Sequence, residues 1–324
     1  MKHRVDIISS ALNEEDAIVE LYERIERVFS QEHGYIWKLT LFDNGSSDGT
    51  WAKILQLSEQ YSNIEGYRMS RTFPLDAAFT AGMQQAEGDV AIIMASDLQD
   101  PPEVIPLLLR KWEKGALHVV VRVLKRSDIS FFRKVLTKIF YRLSFWASEG
   151  LIPENVSDFR LMDKRVYSAV NQIHERNRFM RGLIAWTGFP TQFVDIERPP
   201  RHSGFSKVKY LPIIRFSIKA IFANSSKPIS FISSAGFVLS LFSLSTILFF
   251  SLQWLISGVP FAGYGTIVGL LFLFFSLTIG VLGIIAEYVS LIYIEVKARP
   301  HSILWESTTK LNQNPQSLAA DEND

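Results

Sequence analysis

Hydrophobic and polar positions along the first 200 residues alternate between two rhythms. "RVDIISSAL" reads as a strand, and the stretch that follows it, "EEDAIVELYERIERVFSQ", repeats apolar residues at helical spacing, with Ile18, Leu21, Tyr22, Ile25 and Val28 on one face. The alternation continues with "WKLTLFDN" as a strand, "DGTWAKILQLSEQY" as a helix, "IEGYRMS" as a strand, "LDAAFTAGMQQA" as a helix and "DVAIIMAS" as a strand. Strands separated by helices predict an α/β fold, a doubly wound and mainly parallel sheet that binds ligands at the carboxyl ends of its strands.

Further along, the pattern changes completely. Between Lys227 and Glu287 lie 59 consecutive residues without Asp, Glu, Lys, Arg or His. A bilayer span needs about 20 apolar residues, so this stretch predicts a hairpin of two transmembrane helices, near residues 229–256 and 266–294, broken by the Gly- and Pro-rich "SGVPFAGYG". Lys207, Lys209, Arg215, Lys219 and Lys227 precede the hairpin, Lys297 and Arg299 follow it, and its connecting loop is uncharged. The positive-inside bias then puts both termini and the N-terminal domain in the cytoplasm, on a multi-pass protein of the cell membrane. The polar start "MKHRVDIISSALNEED" is not the apolar core of a signal peptide. The absence of cysteine suits a reducing compartment. The expected organisation is a domain over 1–207, amphipathic interfacial helices over 208–227 with Lys209, Arg215 and Lys219 among large apolar residues, the hairpin over 228–296 and a cytoplasmic tail over 297–324. Within that tail "NQNPQSLAADEND" has the composition of a disordered end.

Chemistry gathers at three strand ends. Asn13, Glu14 and Glu15 follow the first strand, "DNGSSDGT" follows the second, and "SDLQDPPE" follows the fourth. Asp43 before a turn of small residues suits a nucleotide, although the same turn could simply use Asn, Gly and Asp for positive φ and capping. Asp97 leaves an apolar strand at the sheet rim, and Gln99, two residues on, points the same way if the chain stays extended. Such a pair offers hard oxygens to Mg²⁺ or Mn²⁺, which complete their shells from phosphates. The competing reading is that Asp97 and Asp100 cap a helix starting at Pro101 and Pro102. The six histidines show no ligand spacing, and Glu287 in the second span reads as structural, a contact between subunits if the protein is a homo-oligomer.

With these residues in place, the chain resembles family 2 glycosyltransferases of the GT-A fold, in the branch of dolichol-phosphate mannose synthases and bacterial polyprenyl-phosphate glucosyltransferases. The resemblance rests on "NEED", "DNGSSDGT", "SRTFPLDAAFTAGM", "MASDLQDPPE", "FFRKVLTKIFYRL", "SDFRLMDKRV", "RFMRGLIAWTGF", "RPPRHSGFSK" and "IIAEYVSLIYIEVKARP", in order over residues 4 to about 305. It implies metal ligation by Asp97 and Gln99, nucleotide contacts by Glu14 and Asp43, and an acceptor-phosphate site of Arg133, Thr137 and Arg201. It also implies that Asp158 and Arg160 face the donor sugar and the reacting phosphates, catalytic with Asp97. The implied reaction is inverting transfer of a hexose, glucose from UDP-glucose, to a membrane polyprenyl (undecaprenyl) phosphate. Mannose, N-acetylglucosamine and aminoarabinose donors all occur among similar proteins and stay open. No nucleic acid is an expected partner. The chain departs from the pattern at Ala95, where the family usually has Asp, at Asn44, which replaces a common second Asp, at "FPLD", which replaces a Phe-Gly-Lys run, and near Leu124, where relatives often carry Arg. Ala95 and Asn44 leave a degenerate nucleotide-sugar-binding membrane protein as an alternative. A processive polysaccharide synthase is disfavoured by the missing Gln-x-x-Arg-Trp stretch and the small number of spans.

Overall fold

The computed structural model describes residues 2–125, 156–176, 178–197 and 263–309, with isolated helical positions between 238 and 256. It divides into two units, one of Met1–Tyr210 with Arg299–Asp324 and one of Leu211–Ala298.

In the first unit the expected elements appear close to their expected bounds. Strands β1 (His3–Ala11), β2 (Tyr35–Asp43), β3 (Ile64–Met69) and β4 (Val90–Ala95) alternate with helices α1 (Ile18–Gln31), α2 (Thr50–Gln60) and α3 (Leu75–Gln85). A 3₁₀ turn at Pro102–Val104 leads into α4 (Ile105–Glu113), and then come β5 (His118–Lys125), β6 (Val156–Asp163), α5 (Lys164–Asn171), α6 (Met180–Trp186) and β7 (Thr191–Glu197). The eight strands form one sheet in the order β7-β5-β6-β4-β1-β2-β3-β8, where β8 is Leu304–Ser307. This is the mainly parallel α/β sheet that the sequence leads one to expect, of the GT-A kind, with two strands reversed. β6 runs antiparallel between β4 and β5, and β8 runs antiparallel along β3, whereas the β1–β2, β1–β4, β2–β3 and β5–β7 pairs are parallel.

Successive residues of the central strands face opposite sides, and both sides are covered. Ile7, Leu41 and Ile92 pack under α1, α2 and α4 with Leu21, Ile54 and Leu108. Their chain neighbours Ile8, Phe42 and Ile93 pack on the other side with Phe79, Tyr167 and Met180, from α3, α5 and α6. The anticipated face of α1 is the buried one, with Phe29 added to it. A sheet sandwiched in this way holds its strand ends rigidly, and the polar clusters sit on those ends.

Among the described residues of the second unit, helix α7 (Tyr264–Lys297, 34 residues) covers the expected 266–294 span. Its segment Leu270–Lys297 is long and apolar enough to cross a membrane. It ends where Ala298 turns left-handed at φ 50°, just before Arg299 and Pro300. The expected first span falls mostly outside the described residues, although Val238, Leu241, Ser245, Leu248, Phe249, Leu252, Leu255 and Ile256 are each helical. The interfacial helices over 208–227, the end "NQNPQSLAADEND" and the side chain of Glu287 also lie outside them. The segment after residue 297, read from the sequence only as a tail, contributes β8.

Candidate functional site

Two of the three clusters are stitched into one rim. The loop after β1 and the turn after β2 lie side by side because their strands pair in register up to Ala11 and Asp43. Asn13, at φ 58°, donates its backbone N–H to Ser46 Oγ at 3.0 Å and accepts at Oδ1 from the Ser47 N–H at 2.9 Å. The Glu14 N–H donates to Thr50 Oγ1 at 2.9 Å, and Glu15 Oε2 accepts from the Gly49 N–H at 2.7 Å. Gly45 is required in the turn: it adopts φ +77°, and a Cβ there would come within 2.8 Å of Thr72 N.

Glu14 is half-buried, and Asp43 is completely buried. The Asp43 carboxylate accepts from the Ser46 N–H at 2.9 Å through Oδ1, while Oδ2 faces Arg68 Nε at 3.3 Å and has no hydrogen bond. The Asp43 carboxylate thus lies beneath the turn rather than on it. Asn44 has a specific task. Its Nδ2 donates to Phe73 O and its Oδ1 accepts from the Phe73 N–H, both at 2.8 Å, so its amide copies a strand neighbour and ties the turn to the loop before α3.

The third cluster leaves β4 beside β1. It does not stay extended as expected: Leu98 adopts φ 58°, a left-handed turn, and Asp97 Oδ1 accepts from the Gln99 N–H at 3.1 Å. Leu98 is buried, while Asp97 and Gln99 are partly exposed on either side of it. Neither acid caps the following helix, whose cap position is Pro101 with no side-chain hydrogen bond. Asp100 is buried instead and accepts from Ser157 Oγ at 3.2 Å, which joins the β4 end to β6. Among the described residues no group of three or more His, Cys, Asp or Glu could hold a metal. A partly exposed carboxylate and amide two residues apart are of the chemical kind that suits a hard cation drawing its remaining ligands from a diphosphate and water.

β6 carries a fourth cluster to the same rim. Arg160 pairs in register with Ile93 of β4, so Asp158 lies two residues nearer the end from which Asp97 emerges. The Asp158 carboxylate is gripped by Arg181 of α6 in a fork, Nε to Oδ1 at 2.7 Å and Nη2 to Oδ2 at 2.9 Å. Arg160 lies behind, 3 % exposed, donating to the carbonyls of Asp158 and Ser157 at 3.1 and 2.9 Å, with Nη2 3.6 Å from Asp158 Oδ1. Burial pushes its pKa down to about 10, against the pull of Asp158, so it stays charged at neutral pH. Asp76, in the first turn of α3, completes the group. Burial, and after it the charge of Asp158, raise its pKa to about 6, while Arg181, Arg160 and the Met180 N–H pull the other way. The rim thus carries two acids and two guanidiniums beside the Asp97 turn.

Of the expected site residues, Glu14, Asp43, Asp97, Gln99, Asp158 and Arg160 come to the same rim. Arg133, Thr137 and Arg201 lie outside the described residues. Arg181 in "RFMRGL" and Asp76 in "FPLD" carry no assigned role in the sequence; the signal is a lone charge beside otherwise buried positions, Met180 and Leu183 in one case and Ala77 and Ala78 in the other. A hollow of about 400 Å³ lined by Tyr22, Phe29, Trp37, Tyr61 and Asn63 opens at the opposite rim, away from all four clusters.

An α/β sheet of this kind takes its ligands at the carboxyl ends of its strands, which is the rim where these acidic and basic groups gather. Residues 6–170 match the model described as glycosyl transferase family 2, and the chain belongs to that family and is a transferase. It is 33% identical over 300 residues to an uncharacterized glycosyltransferase of Synechocystis, covering 93% of this chain and 94% of that protein. It is 32% identical over 305 residues to a prophage-derived bactoprenol glucosyl transferase of Shigella flexneri, covering 94% and 98%. A prophage bactoprenol glucosyl transferase homolog of Escherichia coli is 32% identical over 302 residues, covering 93% and 98%.

Proposed function

We propose that this enzyme transfers a hexose, glucose from UDP-glucose, to the phosphate of a membrane polyprenyl phosphate such as undecaprenyl phosphate, with inversion at the anomeric carbon. The observation that carries the reading is the charged rim in which Asp97 stands beside the Asp158–Arg181 fork with the buried Arg160 behind it. Relatives named bactoprenol glucosyl transferase, matched along nearly their whole length, support a polyprenyl acceptor and glucose as the sugar.

The chemistry needs little from a general base. A phosphate monoester has its second pKa near ~6, so near pH 7 the acceptor oxygen is already a nucleophile. It attacks the anomeric carbon, the bond from that carbon to the nucleoside diphosphate breaks, and the diphosphate leaves. Catalysis consists of in-line placement and of balancing two anionic groups brought together. Asp97 with Gln99 would hold a Mg²⁺ or Mn²⁺ ion, which when bound offsets the charge of the leaving diphosphate. Asp158, locked by Arg181, orients sugar hydroxyls. Arg160 stays cationic behind it and biases the rim toward anions. Glu14 and Asp43 bind the nucleotide, and Arg133, Thr137 and Arg201 take the acceptor phosphate.

In the same reading α7 is one arm of a two-helix hairpin in the inner membrane, with catalytic domain and termini cytoplasmic. The apolar composition of residues 228–286 and the flanking basic residues support it. Incubating the purified full-length protein with undecaprenyl phosphate and, in turn, UDP-glucose, UDP-N-acetylglucosamine, GDP-mannose and UDP-aminoarabinose tests the assignment. Transfer from UDP-glucose, giving a product of inverted configuration, is expected. Transfer only from another donor would replace the sugar, and no transfer from any of them would overturn the reaction.

A further inference from the structure

The chain re-enters the catalytic sheet after α7, and it does so beside the nucleotide turn. The Ser70 N–H donates to Ile303 O at 2.9 Å, and β8 pairs with β3 so that Arg68 stands opposite Glu306. The strand is fastened rather than merely laid along an edge. Thr308, 2 % exposed, accepts the Gly66 N–H at 3.0 Å through its Oγ1, and Thr309 Oγ1 donates to Glu65 at 2.7 Å. Glu306 Oε2 accepts from Trp51 Nε1 at 2.7 Å, and its Oε1 lies 3.5 Å from Arg68 Nη1. The Arg68 guanidinium lies over two indole rings, 5.9 Å from the centre of Trp51 and 5.4 Å from that of Trp305. From there its Nε meets Asp43 Oδ2 at 3.3 Å, the one oxygen of that buried carboxylate without a hydrogen bond.

These contacts form a chain from the C-terminal strand to the floor of the turn: Glu306, Arg68, Asp43, Ser46 and Asn13. A guanidinium between ring faces can slide in its plane, since dispersion and cation–π attraction favour stacking without fixing rotation. Its edges are held here by a carboxylate on either side. Without Glu306 one edge is free, and the Trp51 indole N–H loses its acceptor.

We propose that Glu306 is a positioning residue for the nucleotide pocket, acting through Arg68 on Asp43, so that donor affinity depends on a residue located after the apolar helix. This rests on the reading of the β1–β2 rim as the nucleotide site. Glu306 touches no reacting atom. It affects donor binding and leaves the chemical step and the lipid acceptor alone.

The test uses the full-length enzyme with Glu306→Ala, the nearly isosteric Glu306→Gln, Arg68→Lys and the Glu306→Ala/Arg68→Lys pair. Tryptophan-fluorescence titration with UDP and with GDP is combined with steady-state kinetics. For Glu306→Ala a rise of about five- to tenfold is expected in nucleotide Kd and in donor KM, and for Glu306→Gln about two- to threefold, with kcat and acceptor KM within about twofold of wild type. The double variant should bind no worse than Arg68→Lys alone, because the two groups act in series. A nucleotide Kd unchanged in both Glu306 variants overturns the inference. So does a parallel loss of kcat, both KM values and Tm, which is what a strand of purely structural value would produce. Should Glu306→Ala fail to fold, Glu306→Gln carries the comparison. Wild-type enzyme that binds neither UDP nor GDP would overturn the nucleotide assignment itself, whereas normal wild-type binding with unaffected variants removes only the role of Glu306.

Discussion

Arg181→Met removes the fork on Asp158 while keeping most of the side-chain volume. Two charge-assisted bonds are lost, of 2.7 and 2.9 Å, between groups whose side chains are 25% and 27% exposed. Buried charge-assisted bonds contribute about 1.5–3 kcal/mol each. With water at a quarter of the surface, and Arg160 still 3.6 Å away to hold the carboxylate, about 1–2 kcal/mol is the appropriate scale for loosening Asp158. If that orientation is used at the transition state, kcat falls about 5- to 30-fold. A second effect separates this account from general damage. Arg181 is the first of the groups that oppose the rise of the Asp76 pKa to about 6, so its removal must move that pKa further up. The pH–rate profile of wild type and variant between pH 5 and 8 reads both effects, and Asp76→Asn identifies the limb that belongs to Asp76. The expected outcome is lower turnover and an acidic limb displaced to higher pH. Wild-type turnover in Arg181→Met, or a limb that moves to lower pH, refutes the reasoning.

Asp97→Asn should remove most transfer while leaving Tm unchanged, because the carboxylate is partly exposed and its Oδ1 accepts only a local bond, from the Gln99 N–H; turnover of the parent that survives EDTA would remove the metal role. Asn44→Asp should destabilise the protein by about 1–3 kcal/mol, since a carboxylate cannot donate to Phe73 O, and a chemical-denaturation midpoint equal to wild type would contradict this. Asp76→Asn should flatten the dependence of Tm on pH between about 4 and 6. In that window the folded protein, with its Asp76 pKa raised to about 6, holds a proton the unfolded chain has released, so wild-type stability falls as pH rises; an equally sloped variant would refute the assignment.

The catalytic sheet was legible because its strands and helices follow simple periods. α1 shows its buried face in Ile18, Leu21, Tyr22, Ile25 and Val28, and β4 is an unbroken apolar run as a strand covered on both sides must be. Strand direction was not legible, since β6 carries the same local signal whether it runs parallel or antiparallel. β8 is four residues long, and its place in the sheet depends on partners more than 200 residues away, such as Trp51 for Glu306. The site was legible where a residue type announces itself at a strand end, as at Asp97. It was not legible where position depends on a turn. Asp43 lies beneath its own loop because the Ser46 N–H folds back onto it, and the Asp97–Gln99 stretch turns rather than extends because Leu98 is left-handed. Arg181 and Asp76 acquire meaning only when α6 and α3 meet over β6.

The length of α7 has one more consequence. At about 1.5 Å per residue its 34 residues span about 51 Å, while a hydrocarbon layer of about 30 Å needs only some 20 of them. The surplus lies at ends that water tolerates: Tyr264 begins the helix, and Lys297, 4.2 Å over the Tyr293 ring, closes it. As the membrane span proposed above, a helix with that much spare length can meet a thinner hydrocarbon layer by tilting. In the proposed membrane reading, an enzyme reconstituted into bilayers of increasing acyl-chain length would then keep nearly constant turnover, its working depth indifferent to the thickness of the membrane that supplies its acceptor.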